Sequence, residues 1–326
     1  MKRILITGGA GFIGYHLSNY LSSIKDNYVY IIDNLKKNNF DDEFKKLLEK
    51  DNVDFQKKDL SRPSSFSDIE NVDQVYHLAA IVGVRKVMED PVETIRVNTL
   101  STIYLLERIK EFERKPKLLF TSSCENYAST INSFNYTVPT PEKVPLCIDD
   151  VTNPRWSYAA SKILGEVACM NYSKKCGFDN VVVRYHNIYG PRMGYDHVIP
   201  DFITRLKKDP KRFEMFGGYQ SRSFCYVSDA IKMTAALMDS RRANGKVVNV
   251  GNDKDVIRID QIAKMICEIM GINPEIIEKG HLDGSVEKRI PDTTLIKELG
   301  CYHSNVNFEE GLSMTYKWYE RNEGVN

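Results

Sequence analysis

The stretch Lys2–Gly14, KRILITGGAGFIG, decides the fold. Ile4, Leu5 and Ile6 form an unbroken apolar run, the pattern of a strand covered on both faces in a parallel sheet. The run stops at Thr7; glycines follow at 8, 9, 11 and 14, and Phe12, Ile13 and Leu17 then recur at helical spacing. A strand, a tight glycine turn and a helix N-terminus are therefore expected. Bare backbone N–H groups and the positive helix end of such a turn can receive a pyrophosphate, which side chains would hold away. The spacing Gly8-x-x-Gly11-x-x-Gly14 differs from the commoner G-x-G-x-x-G, and alone it also fits a tight turn without a ligand. A second apolar run, Tyr28–Ile32, narrows the choice because it ends in Asp33. An acid there takes the adenosine ribose hydroxyls and repels a 2′-phosphate, so NAD is expected rather than NADP.

Outward from this stretch, strands alternate with helices up to about residue 190. Strands are expected at Val53–Gln56, Val75–His77, Lys117–Thr121 and Asn180–Tyr185, and long helices at Pro91–Phe112 and Trp156–Cys176. The first long helix carries an apolar stripe of Val92, Ile95, Leu100, Ile103, Leu106 and Ile109. Asn34–Asp51 reads as a loop plus an exposed helix, and Ala128–Asn153, with three prolines, as a loop over the site. This series argues a doubly wound, Rossmann-type parallel sheet over residues 1–190. After Gly190-Pro191 the elements shorten, and residues 191–326 read as a smaller substrate-binding lobe with some segments returning to the first domain.

Composition excludes several classes. The 326 residues carry a formal net charge of +1, so no strong field points to nucleic acid or an anionic membrane. No apolar run approaches the roughly 20 residues of a membrane span. The seven cysteines are scattered with no C-x-x-C pair, which argues against a disulfide framework or a metal site. A cytoplasmic protein with reduced thiols is expected.

Tyr158 and Lys162 lie four apart near a helix start and so project from one face. A nearby ammonium lowers a phenol's pKa and can hold a nicotinamide ribose, making the phenolate a base toward a sugar hydroxyl. Ser123, at the end of the preceding strand, can hydrogen-bond the same hydroxyl. His77 reads as structural, and His186 and His197 as core or solvated residues rather than bases.

TGGAGFIG, Asp33, Asp59-Leu60, HLAA at 77–80, Asn98, Ser122-Ser123, Tyr158-x-x-x-Lys162 and RYHNIYGPR at 184–192 together resemble the extended short-chain dehydrogenase/reductase superfamily. Within it the chain is similar to the NAD-dependent nucleotide-sugar epimerases and dehydratases, with RSF at 222–224 and RIPD at 289–292 extending the likeness to about residue 300. The resemblance implies oxidation of a sugar C4 hydroxyl by Tyr158, Ser123 and Lys162. It implies NAD held by Gly8, Gly11, Phe12, Ile13, Gly14, Asp33, Asn34, Asp59, Leu60, Leu78, Ala79, Ala80 and Asn98 as well as Tyr158 and Lys162. It further implies a UDP- or GDP-linked sugar held by Arg155, Asn187, Arg192, Arg222 and Arg289, and a homodimer built from the two long helices.

The fate of the oxidised sugar turns on Cys124 and Glu125. Sugar 4,6-dehydratases place Asp-Glu there, and simple C4 epimerases small or hydroxyl residues. Cys-Glu followed by Arg155-Trp156-Ser157-Tyr158 is similar to UDP-apiose/xylose synthases and related decarboxylases, whereas RYHNIYGP resembles GDP-mannose 3,5-epimerases. Glu125 can act as a base at C3 or C5, orient a substrate carboxylate, or pair structurally with Arg155; Cys124 can be an acid/base or simply small and buried. Net epimerisation in surface-polysaccharide precursor synthesis is the first expectation. Decarboxylation of a nucleotide-uronic acid and net C4 dehydrogenation stand beside it. A catalytically silent NAD-sensing regulator is the reading from another class, and the joint presence of Ser123, Tyr158 and Lys162 argues against it.

Overall fold

The computed structural model describes residues 1–37, 40–70, 72–280 and 286–322. The first half runs β1 (Lys2–Thr7), α1 (Phe12–Ser22), β2 (Asn27–Asp33), α2 (Asp42–Leu48), β3 (Val53–Lys57), β4 (Gln74–His77), α3 (Val84–Glu89), α4 (Pro91–Glu111), β5 (Lys117–Ser123), α5 (Ala128–Phe134), α6 (Trp156–Cys176) and β6 (Asn180–Tyr185). The second half runs β7 (Ile188–Tyr189), α7 (Val198–Lys208), β8 (Arg212–Phe216), β9 (Ser221–Ser223), β10 (Cys225–Tyr226) and α8 (Val227–Asp239). It continues with β11 (Lys246–Val250), β12 (Val256–Arg258), α9 (Ile259–Met270), β13 (Glu275–Lys279), β14 (Lys288–Arg289), α10 (Thr294–Glu298) and α11 (Phe308–Arg321).

Seven parallel strands form the central sheet in the order β11-β6-β5-β4-β1-β2-β3. Both faces are covered, as the unbroken apolar runs require. Ile4, Ile6, Val29 and Ile31 pack into one core, while Leu5, Ile32, Val75, Leu118 and Phe120 pack into the core on the other face. Each such side chain, fully buried, contributes about 1.5–3 kcal/mol. The doubly wound sheet expected from the sequence is present. Its seventh strand, β11, comes from beyond residue 190 and pairs with β6.

Three local expectations need correction. The stripe on α4 does not all face the sheet: Leu106 and Ile109 are buried, but Val92 is 73% exposed and Ile95 48%. The buried face of the first turns is instead Thr94, Asn98, Ser101 and Thr102, so Val92 and Ile95 lie on another face of the helix. The helix within 34–51 is not simply exposed either, because Phe44 and Leu47 of α2 are buried and Asp41 caps it through Phe44 N–H. The loop expected from residue 128 opens with α5.

The second lobe is stitched by short pairings. β8 and β13 run parallel, and β9 is flanked by β12 and β14, so that Arg222 and Arg289 stand opposite one another. Thr140 reaches over to this edge, with its N–H on Ile290 O and its carbonyl receiving Asp292 N–H. Among the described residues no helix is long and apolar enough to cross a membrane.

Gly14 is where the fold is least forgiving, because a Cβ there would lie 2.1 Å from the carbonyl oxygen of Gly8. Gly14→Ala is expected to lower stability by about 1–3 kcal/mol, read as a fall in the urea midpoint at unchanged slope.

Candidate active site

A cleft of about 640 Å³ opens at the carboxyl ends of the strands, beside the point between β1 and β4 where the strand order reverses. This is where open α/β sheets bind ligands. Gly8, Gly11, Phe12, Ile13, Gly14, Asp33, Asn34, Asp59, Leu60, Leu78, Ala79 and Ala80 all line it. Gly8 sits at φ +72° and a Cβ there would come 2.7 Å from Ala79 N, so β1 and β4 meet through bare backbone. Gly11 is the N-cap of α1 and offers no side-chain cap, which leaves the first-turn N–H groups for a ligand. Asp33 accepts from Ala10 N–H at 3.1 Å and Leu35 N–H at 2.8 Å, so its carboxylate is held at the end of β2. Burial pushes that carboxyl up, against the backbone donors that favour its charge. Asp59 is fixed by Ser61 through its N–H at 3.0 Å and its hydroxyl at 2.8 Å. A glycine cradle, a free helix end and a fixed acid fit a dinucleotide.

Asn98 is placed differently from the other residues expected at the cofactor. It is buried and does not line the cleft. Its Oδ1 accepts from Ile81 N–H at 2.7 Å and its Nδ2 donates to Ile81 O and Ser161 Oγ, so it pins the strand-end loop to α6.

The reacting groups meet at the end of β5. Tyr158, Lys162, Ser123, Cys124 and Glu125 line the same cleft. The Ser123 hydroxyl lies beside the Tyr158 phenol and favours its ionised form. Lys162 is buried, and its Nζ donates to Thr121 O at 2.8 Å while lying 5.9 Å from the centre of the Tyr158 ring. The expected lowering of the phenol by this ammonium is not realised. Burial pushes the phenol well up and outweighs the Ser123 hydroxyl, while burial pulls Lys162 down to about 8. The ammonium is turned toward the β5 carbonyl rather than the phenol. Cys124 is buried, and burial raises its thiol despite the nearby Arg289 guanidinium, so it is a thiol rather than a thiolate.

Glu125 is the centre of a cationic wall. Its Oε1 accepts from Arg289 at 2.7 Å, and Arg155 approaches Oε2 at 3.8 Å. The tight partner is thus Arg289 rather than the Arg155 considered from the sequence. Burial opposes the Glu125 charge, but Arg289 and Arg155 outweigh it and hold the carboxyl below its usual range. Arg222 lies behind this pair and not on the cleft wall; among the described residues its guanidinium donates to the carbonyls of Ser221 and Glu287 and to Gln220 Oε1. Burial and the neighbouring Arg289 push Arg222 down to about 9. A guanidinium keeps its proton nonetheless, so the crowding is relieved by an arriving anion rather than by deprotonation. Arg155 Nε has no hydrogen-bond partner among the described residues.

The remaining sequence candidates divide. Asn187 lines the cleft in a left-handed conformation, φ +42°, with Nδ2 donating to Ser223 O at 2.8 Å. Arg192 also lines the cleft, but it forks onto Asp41 at 2.7 and 2.9 Å and stacks on Tyr15 of α1 at 4.0 Å. That places it at the α1–α2 side rather than with the other arginines. His77 is structural: Thr7 and Thr102 hydroxyls flank its ring and burial lowers it to about 3. His186 is buried against Asn249, and burial likewise lowers it to about 3. Among the described residues no group of His, Cys, Asp and Glu could hold a metal. Missed by the sequence reading is a buried pair behind the site, Glu166 and Arg184; its signal was an acid one turn beyond Lys162 on the inner face of α6.

A glycine-cradled cleft at the switch point of a parallel sheet, with Ser, Tyr and Lys at its floor, defines a dinucleotide-dependent enzyme of the dehydrogenase type. Residues 4–251 match the sequence model of the NAD dependent epimerase/dehydratase family, and the chain belongs to that family. It is 34% identical to UDP-N-acetyl-alpha-D-glucosaminuronate decarboxylase of Bacillus cytotoxicus, over 99% of both chains. It is 32% identical to a putative UDP-glucose 4-epimerase of Methanocaldococcus jannaschii, over 98% of this chain and 99% of that one. The crystal structure of UDP-glucuronic acid 4-epimerase from Bacillus cereus, in complex with UDP-glucuronic acid and NAD, superposes with a TM-score of 0.82. Its identity is 26%, over 98% of this chain and 99% of that one. The enzyme is NAD-dependent and acts on nucleotide sugars.

Two outcomes test this geometry. Pyrophosphate at millimolar concentration is expected to raise the melting temperature by several degrees, and Arg289→Gln, at a position on the cleft wall, to reduce that shift. Glu125 is a carboxyl held low by its partners, so its contribution to stability is complete above the unfolded value of about 4.3 and is lost as pH falls further. Urea midpoints between pH 6 and pH 3 should therefore fall more steeply for the wild type than for Glu125→Gln.

Proposed function

We propose that the chain is an NAD-dependent decarboxylase of a UDP-linked uronic acid. The observation that carries this reading is the crowd of Arg155, Arg222 and Arg289 about the single carboxylate of Glu125. Three cations against one anion leave the site short of about two negative charges. A diphosphate in the cleft would meet Arg289, with Arg222 adding positive charge from behind, and Arg155, nearest the reacting groups in sequence and loosely held, suits a sugar carboxylate. This charge balance moves the preference from net epimerisation, expected from the sequence, to loss of carbon dioxide. The 34% identical uronate decarboxylase of matching length supports the same choice.

NAD, which the Gly8–Gly14 turn and Asp33 would hold, would supply hydride-accepting and hydride-donating chemistry at C4. Tyr158, once it has lost its own phenolic proton, takes the proton of the C4 hydroxyl, and Ser123 aligns that hydroxyl. Lys162, held on Thr121 O, is the nearby ammonium that would have to turn toward the phenol to favour its ionised form. A keto group at C4 makes the C6 carboxylate that of a β-keto acid. The C5–C6 bond then breaks, its electron pair passes to the C4 oxygen as an enolate, and the carboxylate leaves as neutral carbon dioxide. Glu125 keeps Arg289 and Arg155 in place and sets a like charge beside the departing carboxylate. C5 then takes a proton.

The second reading, C4 epimerisation of a uronic-acid nucleotide, is favoured by the likeness to the UDP-glucuronic acid 4-epimerase structure. Mass spectrometry separates the two. With UDP-glucuronic acid or its N-acetylated amino analogue, loss of carbon dioxide and one deuterium gained from heavy water are expected; unchanged mass with an altered sugar means epimerisation. Tyr158→Phe should lower kcat about 10²–10⁴-fold. Arg155→Gln should raise KM for the uronic substrate about tenfold or more.

The pairing of two chains is part of the same reading. Val92, Ile95, Leu164 and Val167 are exposed on the adjacent helices α4 and α6, an apolar strip suited to a second copy. Light scattering is expected to give twice the chain mass, and Val167→Glu to shift it toward the monomer.

A further inference from the structure

Behind the reacting groups lies a buried polar network that the chemistry above does not use. Arg184 of β6 forks onto Glu166 of α6, with Nε at 2.8 Å from Oε1 and Nη2 at 2.6 Å from Oε2. Both side chains are buried. The Ser122 hydroxyl donates to Glu166 Oε1 at 2.5 Å, and Asn126 Nδ2 donates to the same oxygen at 2.9 Å. One turn earlier on α6, Lys162 Nζ donates to Thr121 O. Two consecutive residues of β5, just before Ser123, are therefore held by two successive turns of the helix that carries Tyr158.

The network also reaches the opposite wall. Arg184 Nη1 donates to the Tyr127 hydroxyl at 2.7 Å, and that hydroxyl donates to Asn249 Oδ1 at 2.8 Å. Asn249 Nδ2 donates to Thr140 O at 3.0 Å and Asp292 O at 3.1 Å. Asp292 is three residues beyond Arg289, on the strap that carries that guanidinium to Glu125. One chain of bonds thus runs from Ser122 to the cationic wall.

A buried ion pair of this kind is a poor source of net stability, since desolvation offsets the attraction. What it does supply is a fixed geometry, because reacting groups must be held within about 0.5 Å of their productive positions. We propose that Glu166, clamped by Arg184, is a positioning residue that sets the end of β5, and with it Ser123, against Tyr158 and Lys162. It rests on the reading of Tyr158, Ser123 and Lys162 as the groups that oxidise C4.

The test uses Glu166→Gln and, because Gln beside a buried Arg184 can fail to fold, Ser122→Ala, which removes only the hydroxyl between Glu166 and β5. In the NAD-loaded protein each folded variant is expected to lose about tenfold or more in kcat while KM for the nucleotide sugar stays within about twofold. A crystal structure of Ser122→Ala is expected to show Ser123 Oγ displaced from the Tyr158 hydroxyl by more than about 0.5 Å. If Ser123, Tyr158 and Lys162 keep their wild-type geometry in Ser122→Ala, the proposal is wrong whatever the rate. A rise in KM at unchanged kcat also overturns it. A wild type that turns over no nucleotide sugar would instead sink the functional reading, and the crystal structure would still decide the positioning role.

Discussion

The cleft depends on one contact made without side chains, the seat of α1 on the turn that follows β1. Gly14 lies so close to the Gly8 carbonyl that no Cβ fits, and Gly8 lies equally close to the end of β4. Because of this, the helix N-terminus, the end of β1 and the end of β4 form one floor. The parallel order then brings the end of β5, with Ser122 and Ser123, to the same level one strand further on. A bulkier residue at either glycine would lift α1 away from β4 and separate the phosphate-receiving N–H groups from the reacting ones. Distances between cofactor and substrate sites are thus a consequence of backbone packing.

The opposite wall is built by a different constraint. β14 pairs in parallel with β9, and the register sets Arg289 directly across from Arg222. Two guanidiniums brought together by backbone pairing repel each other, and burial deepens the cost. Glu125, arriving from the end of β5, neutralises part of that charge through Arg289, and the remainder is directed at whatever anion enters. In the proposed reading a diphosphate and a carboxylate relieve this repulsion on binding. Affinity for anions is then the counterpart of a local instability rather than an added device.

Much of this was legible in the sequence. The first strand, the glycine turn, α6 from Trp156 to Cys176 and β6 from Asn180 to Tyr185 come from apolar runs and a terminating Gly177, signals local to each segment. So did most of the cleft lining, since each residue sits at a strand end or a helix start. What stayed hidden was long-range. Some return of later segments to the first domain was expected, but no local pattern says that residues 246–250 are the ones that pair with β6, that Arg192 turns toward Asp41, or that Arg289 rather than Arg155 grips Glu125. Asn98 shows the same limit: the motif places it near the cofactor, but its amide is used in holding Ile81. The two exposed apolar residues of α4 were visible as a stripe, yet in the first turns the helix turns its polar face, Thr94 and Asn98, inward.

The division between the two walls also explains why the oxidising groups say so little about the net reaction. In the proposed reading Ser123, Tyr158 and Lys162 act on a hydroxyl and its hydrogen, chemistry common to every outcome that begins with a C4 ketone. The ketone weakens bonds at C3 and C5 alike, and which bond gives way depends on what stands beside C5. Here that neighbourhood is set by Cys124, Glu125 and the guanidiniums, groups supplied by the end of β5 and by a strap from the second lobe. Burial keeps Cys124 protonated, so it is a weak base, whereas Glu125 is held charged and fixed by Arg289. A fixed carboxylate engaged by an arginine is a poor proton abstractor too, because its basicity is lowered by the partner that holds it. With neither group suited to remove the C5 proton, epimerisation at C5 is disfavoured, and in the proposed reading the bond that breaks is the one to a carboxylate that departs as a neutral gas.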